Sequence, residues 1–297
     1  MVEPGILLVD KPGGLTSHDV VARARRSFGT RKVGHAGTLD PMATGLLVLG
    51  VEGATRLLTY IVGADKTYLA TIRLGEATST DDAEGETTAR ADAGAVDSVT
   101  AEQIDNGIAA LTGEISQVPS SVSAIKVDGR RAYERVRAGE DVELKSRAVT
   151  VSRFDVTAER RTGGFLDLDV VVDCSSGTYI RALARDLGES LGTGGHLTAL
   201  RRTRIGPFEA TDAVAVDDLA AAPLLTPADA ASRVLPRLDV SGDEARDLRH
   251  GKRLTGRGGA LEGRSAAAVD PDGVLVGIVE RRGADLKSAM NMPEENR

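Results

Sequence analysis

One carboxylate in this chain sits in a context suited to chemistry. Asp40 lies within Gly34-His35-Ala36-Gly37-Thr38-Leu39-Asp40-Pro41-Met42-Ala43-Thr44-Gly45-Leu46. Gly34, Gly37 and Gly45 permit positive φ or the close approach of another segment. Pro41 fixes its own φ and turns Asp40 away from α geometry. The acid is thereby posed just before Leu46-Leu47-Val48-Leu49, a short apolar run ending at Gly50 that reads as a buried strand. Taken alone, the stretch reads equally well as a tight turn, because Asp-Pro is an ordinary turn signal. An ionised carboxylate held this way can serve as nucleophile or base. The sequence has no P-loop, no GxGxxG nucleotide motif and no His/Cys spacing for a metal. No His or Ser constellation supports hydrolysis by Asp40, and His18, His196 and His250 lack partners in sequence that suggest catalysis.

Four further blocks accompany it. They are Lys11-Pro12-Gly13-Gly14-Leu15-Thr16-Ser17, then Lys66-Thr67-Tyr68 with Leu74-Gly75, then Gly177-Thr178-Tyr179-Ile180-Arg181, and finally Gly195 through Thr203. In this order, from the N-terminus to about residue 206, the five blocks resemble the motifs of the TruB family, the bacterial tRNA pseudouridine-55 synthases. The resemblance implies an isomerase that converts uridine 55 in the T arm of tRNA to pseudouridine, with Asp40 as the catalytic carboxylate. That reaction breaks the N1–C1′ bond, rotates the base and rejoins it through C5. It needs no redox change, group donor or metal, so no cofactor is expected. Asp40 could attack C1′, add to C6 or remove a sugar proton, and the sequence leaves all three open.

The resemblance also implies roles for other residues. It sets Arg181 beside Asp40 as the counter-charge, and Tyr68 as the ring that stacks on the extracted uracil. It places Tyr179 and Leu200 in the pocket wall and His35 at the RNA interface, filling the space left by the flipped base. Lys11 and Pro12 read as supports of the active-site loop. By residue type alone, Tyr68 and Leu200 are core residues, His35 a turn residue and Arg181 a helix-surface charge. Flipping a base costs a few kcal/mol, of which stacking returns roughly 1–3 kcal/mol.

These residues need elements to position them. Residues 5–9 read as a short strand, Asp19–Ser27 as a helix with Ser17 as N-cap and Gly29 past its end. Tyr68–Leu74 alternates as a strand bounded by Gly75. Thr78–Thr88, polar and acidic, reads as an exposed loop. Thr100–Leu111 is a helix with a Thr100/Gln103 capping box. Pro119–Arg153 reads as a basic, loop-like segment with a short helix around Arg131–Ala138. Val149–Phe154 and Leu166–Cys174 are strands, Tyr179–Leu187 a helix ended by Gly188, and Leu197–Arg204 leads into a strand. Val214–Leu225 reads as helical. Beyond Pro236 come a helix at Ser241–Arg249 and strands at Ala266–Asp270 and Val274–Arg281, joined by the turn Asp270-Pro-Asp-Gly273. The tail from Lys287 reads as disordered. The sum is an α+β fold: a mixed-sheet pseudouridine synthase catalytic domain over 1–233, with a basic RNA-binding insertion at 120–153, and a small β-rich, PUA-like module over 234–297. That module is expected to add RNA contacts but no chemistry.

Composition bounds the partners. The 297 residues are 41% hydrophobic and 27% charged, as in a globular chain with ample core. No apolar run approaches a membrane span, and the N-terminus lacks the basic start of a signal peptide. The single cysteine, Cys174, falls in an alternating run and reads as a core thiol. A cytoplasmic, monomeric, metal-free protein that binds no membrane is the expectation. The net charge of −7 conceals segregation. Acid collects in Glu76–Asp105. Base collects at Arg23–Lys32, at Lys126–Arg147 and at Arg201, Arg202 and Arg204, a composite surface suited to RNA phosphates. With aromatics at 3%, recognition should rest on RNA shape and one or two extracted bases rather than on a stacking platform. A non-catalytic RNA-binding or RNA-folding protein on the same scaffold is the main alternative, and the intact Asp40, Tyr68 and Arg181 argue against it.

Overall fold

The structure, a computed structural model, describes residues 2–120, the backbone of 126–127 and 130–131, and 144–293. Most of the basic segment, including the helix expected around Arg131–Ala138, lies outside the described residues.

A ten-stranded mixed sheet organises the larger part of the chain. Its strands are β1 (Gly5–Lys11), β2 (Val33–His35), β3 (Thr44–Val51), β4 (Lys66–Leu74), β7 (Gly113–Gln117), β10 (Arg147–Thr162), β11 (Phe165–Cys174), β12 (Gly195–Ile205), β13 (Phe208–Glu209) and β14 (Val214–Ala215). Along the main path the order is β14-β1-β3-β12-β4-β11-β10-β7, with β2 added to β3 and β13 to β12. The β1–β14 and β3–β12 pairs are parallel, and the others antiparallel. Short hairpins β5 (Glu76–Thr78) with β6 (Thr87–Arg90), and β8 (Lys126–Val127) with β9 (Arg130–Arg131), stand apart.

Alternation explains the central strands. On β4, Tyr68, Ala70, Ile72 and Leu74 are buried, and on β11 Leu166, Leu168, Val170, Val172 and Cys174 face the same core. The opposite face carries a cross-strand polar ladder. Thr67 bonds Asp173, Thr71 Oγ1 donates to Asp169 Oδ1 at 2.7 Å, and Arg73 grips Asp167 with two bonds of 2.8 Å. Burial pushes the Cys174 thiol up to about 11, the condition of a core thiol.

Helix α1 (Ser17–Phe28) is entered through a capping box made by Thr16 and Asp19, not by Ser17. Ser17 is buried, and its hydroxyl accepts from Leu39 N at 2.9 Å and donates to Leu39 O at 3.0 Å. It clasps the segment next to Asp40 instead of capping. The Thr100/Gln103 box does start a helix, Ala101–Ala110. The helix after Tyr179, Ile180–Ser190, runs past Gly188. A Cβ at Gly188 would sit 2.2 Å from Gly194 C. The glycine therefore serves close packing of the helix on the start of β12, not chain termination. Val214–Leu225 holds β14 and a 3₁₀ turn, Val216–Ala221, in place of an α-helix.

Arg237–Asp239, Ser265–Val269, Leu275–Arg282 and Asp285–Asn291 form a separate four-stranded sheet, β15 to β18 in order. The last strand occupies the start of the tail expected to be disordered. Gly273, at φ +78°, closes the Asp270 turn with its N–H on Asp270 O at 3.0 Å. The helix Pro227–Val234 joins the two sheets. Its Ala228, Ala230 and Ala231 share one apolar cluster with Ile6, Leu46 and Val48 of the large sheet and Ala267, Val269, Leu275 and Ile278 of the small one.

A chain cut after Ala231 should therefore be destabilised. Uncovering one or two such side chains costs about 2–5 kcal/mol. Thermal unfolding of the cut and full-length chains checks this, and equal midpoints would show that the large sheet does not depend on the small one.

Candidate active site

The five sequence blocks meet at one end of the central strands. There the structure has a cavity of about 270 Å³, walled on one side by the Gly37–Asp40 loop and on another by the turn and helix start Ser176–Arg181. Tyr68 from β4, with Leu200 and Arg202 from β12, completes the wall. Of the residues singled out in the sequence, Asp40, Arg181, Tyr68, Tyr179 and Leu200 all line this cavity. His35 does not. It lies on β2 opposite Leu49, with its ring edge-on to His18 at 5.5 Å.

The loop bearing Asp40 is held from below by buried side chains. Lys11, at the end of β1, donates to Pro12 O at 2.9 Å, Leu15 O at 2.7 Å and Pro41 O at 3.2 Å. Ser17 holds Leu39, as described above. Arg202 donates to Leu46 O at 2.8 Å, Thr38 O at 3.2 Å and Gly37 O at 3.2 Å. Gly45, opposite Arg202 in the parallel β3–β12 pair, has φ +99°. A Cβ there would lie 2.2 Å from Arg202 O, so only glycine permits this strand approach. Burial is the main cause that pulls both Lys11 and Lys66 down to about 8.

Arg181 is the centre of the site's charge. Its side chain is 5% exposed. Nε lies 3.0 Å from Asp40 Oδ2, and Nη1 lies 3.2 Å from Asp82 Oδ2 and 2.9 Å from Thr80 O. One guanidinium thus bridges two carboxylates, using the planar fork that a lysine lacks. The Asp40 side chain is 34% exposed and faces the cavity mouth, whereas Asp82 is almost wholly buried at 4%. Gln117 aligns the helix start by bonding both ends of the Tyr179 peptide, its Oε1 on Tyr179 N at 2.8 Å and its Nε2 on Tyr179 O at 3.1 Å. Burial raises the Tyr68 phenol, while the neighbouring Arg202 charge opposes that rise.

Asp82 is the residue that sequence reasoning missed. The acidic stretch around it is no free loop. Asp82 Oδ1 accepts from Thr80 Oγ1 at 2.5 Å and from Glu84 N at 3.1 Å, and Asp81 O accepts from Leu197 N at 3.0 Å. Arg185, one helical turn after Arg181, reaches Asp81 at 3.3 Å. Two arginines at i and i+4 on one helix face, matched by two adjacent aspartates, were the available signal. Glu84 stands beside this pair, its carboxyl pushed upward first by burial and then by the charges of Asp82 and Asp40.

The third basic cluster departs from expectation at Arg202. Arg201 grips Asp10 with bonds of 2.9 and 2.8 Å, Arg202 is buried, and Arg204 lies 3.6 Å from Asp173. Only Arg202 is withdrawn from the surface; Arg201 and Arg204 stay partly exposed beside their carboxylate partners. In the first cluster, Arg26 and Arg31 remain exposed.

Comparison with known proteins places this architecture. Residues 25–180 match the family model described as "TruB family pseudouridylate synthase (N terminal domain)". The chain belongs to the TruB family. Residues 181–239 match "tRNA pseudouridylate synthase B C-terminal domain" and 235–293 match "tRNA Pseudouridine synthase II, C terminal". A protein named "tRNA pseudouridine synthase B" from Leifsonia xyli subsp. xyli (strain CTCB07) is 59% identical over 99% of this chain and 98% of its own. One of the same name from Arthrobacter sp. (strain FB24) is 57% identical over 98% of this chain and 97% of its own. Among solved structures, a chain of "Structure of H/ACA RNP bound to a substrate RNA containing 2'-deoxyuridine" aligns at TM-score 0.70 and 23% identity, covering 98% of this chain and 86% of its own. A chain of "Crystal structure of the archaeal box H/ACA sRNP Nop10-Cbf5 complex" aligns at TM-score 0.70 and 24% identity, over 98% and 87%. These two likenesses show a shared fold. As a TruB-family protein the chain is a pseudouridine synthase, an isomerase with an α+β catalytic part and a small β-rich C-terminal part. Among the described residues no helix is long and apolar enough to cross a membrane.

Proposed function

We propose that this protein converts uridine 55 in the T arm of tRNAs to pseudouridine, with Asp40 as the catalytic carboxylate. The observation that carries the proposal is Asp40 itself. It is held 3.0 Å from the buried Arg181 at the mouth of a cavity walled by Tyr68, Tyr179 and Leu200. The tRNA substrate is supported by the names of the relatives that match almost the whole chain. Uridine 55 and the T stem-loop are supported by the five sequence blocks. In this reading the protein acts as a cytoplasmic monomer. Residues 1–233 carry the chemistry and 234–297 add RNA contacts.

The geometry supplies the steps. The target uridine leaves its stack and enters the cavity, where the Tyr68 ring and the Leu200 side chain offer it apolar faces. Arg181 fixes the direction of the Asp40 carboxylate through Nε, and its second nitrogen is anchored by Asp82 and Thr80. The carboxylate's pose is thus set before substrate arrives, which lowers the entropic part of the barrier. Asp40 then attacks C1′, adds to C6 or takes a sugar proton. The base rotates within the cavity and rejoins through C5. A proton leaves C5 and one arrives at N1, so the balance closes without a cofactor. His35, on the neighbouring strand, would face the RNA outside the cavity.

Incubating unmodified tRNA transcripts with the purified protein and mapping pseudouridine by mass should give modification at position 55 alone. Modification elsewhere, or none, would contradict the assignment.

A further inference from the structure

Two cations line the cavity without a direct carboxylate ion pair among the described residues, the charge of Asp65 acting on Lys66 only from beyond that distance. Lys66 is 6% exposed and Arg202 1%. Lys66 Nζ donates to Val62 O at 3.0 Å and Ala64 O at 2.6 Å, and Arg202 to the carbonyls of Leu46, Thr38 and Gly37. All five acceptors are neutral. Among the described residues, neither cation has a carboxylate within ion-pair distance, although Arg181 in the same cavity wall has two. Taking a charge out of water costs several kcal/mol per ion. A neutral amide donor would satisfy the same carbonyls at lower cost, so the local hydrogen bonding does not account for the charges. The two cations also converge. A Cβ on Gly37 would lie 3.9 Å from Arg202 Nη1 and 3.9 Å from Lys66 Cε, and the missing side chain leaves that space to the cavity that all three residues line. Lys66, at about 8, is still an ammonium at neutral pH.

We infer that Lys66 and Arg202 form a preorganised cationic wall that stabilises negative charge developing on the pyrimidine ring as its glycosidic bond is cleaved. The inference rests on the reading of this cavity as the site of the flipped uridine. All three routes open to Asp40 bring an electron pair onto the ring. If the carboxylate attacks C1′, an O–C1′ bond forms, the C1′–N1 bond breaks and its pair goes to N1. If Asp40 removes the 2′ proton, that C–H pair forms a double bond to C1′ and the C1′–N1 pair again leaves on N1. If it adds to C6, the C5–C6 π pair moves toward C5 and the C4 carbonyl oxygen. In each case the ring is anionic before its C5 joins the sugar carbon. Fixed cations in a water-poor wall stabilise such charge with no reorganisation cost at the moment of reaction. Arg181 cannot take this role alone, because two carboxylates already balance it.

The test compares two T-arm stem-loops, one with uridine and one with 5-fluorouridine at the target position, under single turnover. The readout is loss of the starting nucleoside. Fluorine withdraws electrons and stabilises a ring anion by itself. Lys66→Met should slow loss of uridine by about 10- to 100-fold, slow loss of 5-fluorouridine several-fold less, and leave RNA affinity within twofold. Lys66→Arg, which restores the charge, should recover most of the rate. Lys66→Gln, a neutral donor to the same carbonyls, should behave as Lys66→Met and carries the comparison if the methionine variant does not fold. Equal losses on both substrates, or a Lys66→Gln protein as fast as the parent, would overturn the inference and leave Lys66 as a clamp on the Val62–Ala64 turn. A parent protein that consumes neither nucleoside would instead overturn the reading of the cavity as a uridine site.

Discussion

Arg181→Met is expected to lower the unfolding free energy by about 3–5 kcal/mol, the range for breaking a buried ion pair by removing one partner. Most of that cost falls on Asp82, at 4% exposure; Asp40, at 34%, retains water and contributes less. The same change removes the group that orients Asp40. The single-turnover rate of the folded fraction should fall by at least about 10²-fold, the scale set by small misplacements of a reacting group. Arg181→Lys tests a different property. It keeps the charge but not the planar fork, and one ammonium cannot occupy the positions of both Nε and Nη1. Its rate should lie between those of the parent and Arg181→Met, with a smaller loss of stability. Denaturant unfolding and single-turnover conversion of a T-arm stem-loop check the two effects separately. An Arg181→Met protein as stable and as fast as the parent would mean that the bridge between Asp40 and Asp82 has no energetic content.

The parts of this site that were legible in the sequence are those where local chemistry and chain order coincide. Pro41, Gly37 and Gly45 mark an over-determined loop around Asp40. Alternation on β4 and β11 is regular enough to place Tyr68 on the core face. Thr100 with Gln103 gives a reciprocal cap that no distant contact overrides. Ser17 and Gly188 were misread for one shared reason. Each satisfies a local rule, helix capping or helix stopping, and each is used instead for a contact outside its own helix. Ser17 holds Leu39, and Gly188 admits the Gly194–Gly195 backbone.

Asp82 shows the same limit more sharply. An acidic, Thr- and Gly-rich segment has the composition of a solvated loop, and nothing in its own residues indicates burial. What buries it is an arginine 99 residues later. The basic residues near the C-terminal end of β12 err in the opposite direction. Arg201, Arg202 and Arg204 look like a phosphate surface in sequence, but tertiary structure supplies Asp10, three carbonyls and Asp173 as partners. Arg202 alone is buried by its partners, while Arg201 and Arg204 remain partly exposed, so a charge run reports a surface only residue by residue.

The largest effect is expected at Asp40. Asp40→Asn keeps the shape of the side chain and its capacity to hydrogen-bond Arg181, but removes the negative charge, the nucleophile and the base together. Because Asp40 is partly exposed and its loop is held independently by Lys11, Ser17 and Arg202, the variant should fold and bind RNA within a few-fold of the parent. The direct measurement is single-turnover conversion of a T-arm stem-loop by folded Asp40→Asn protein, with deamidation back to aspartate excluded by mass. No pseudouridine at any enzyme concentration is the predicted result. Appreciable turnover would contradict the assignment of Asp40 as the catalytic carboxylate.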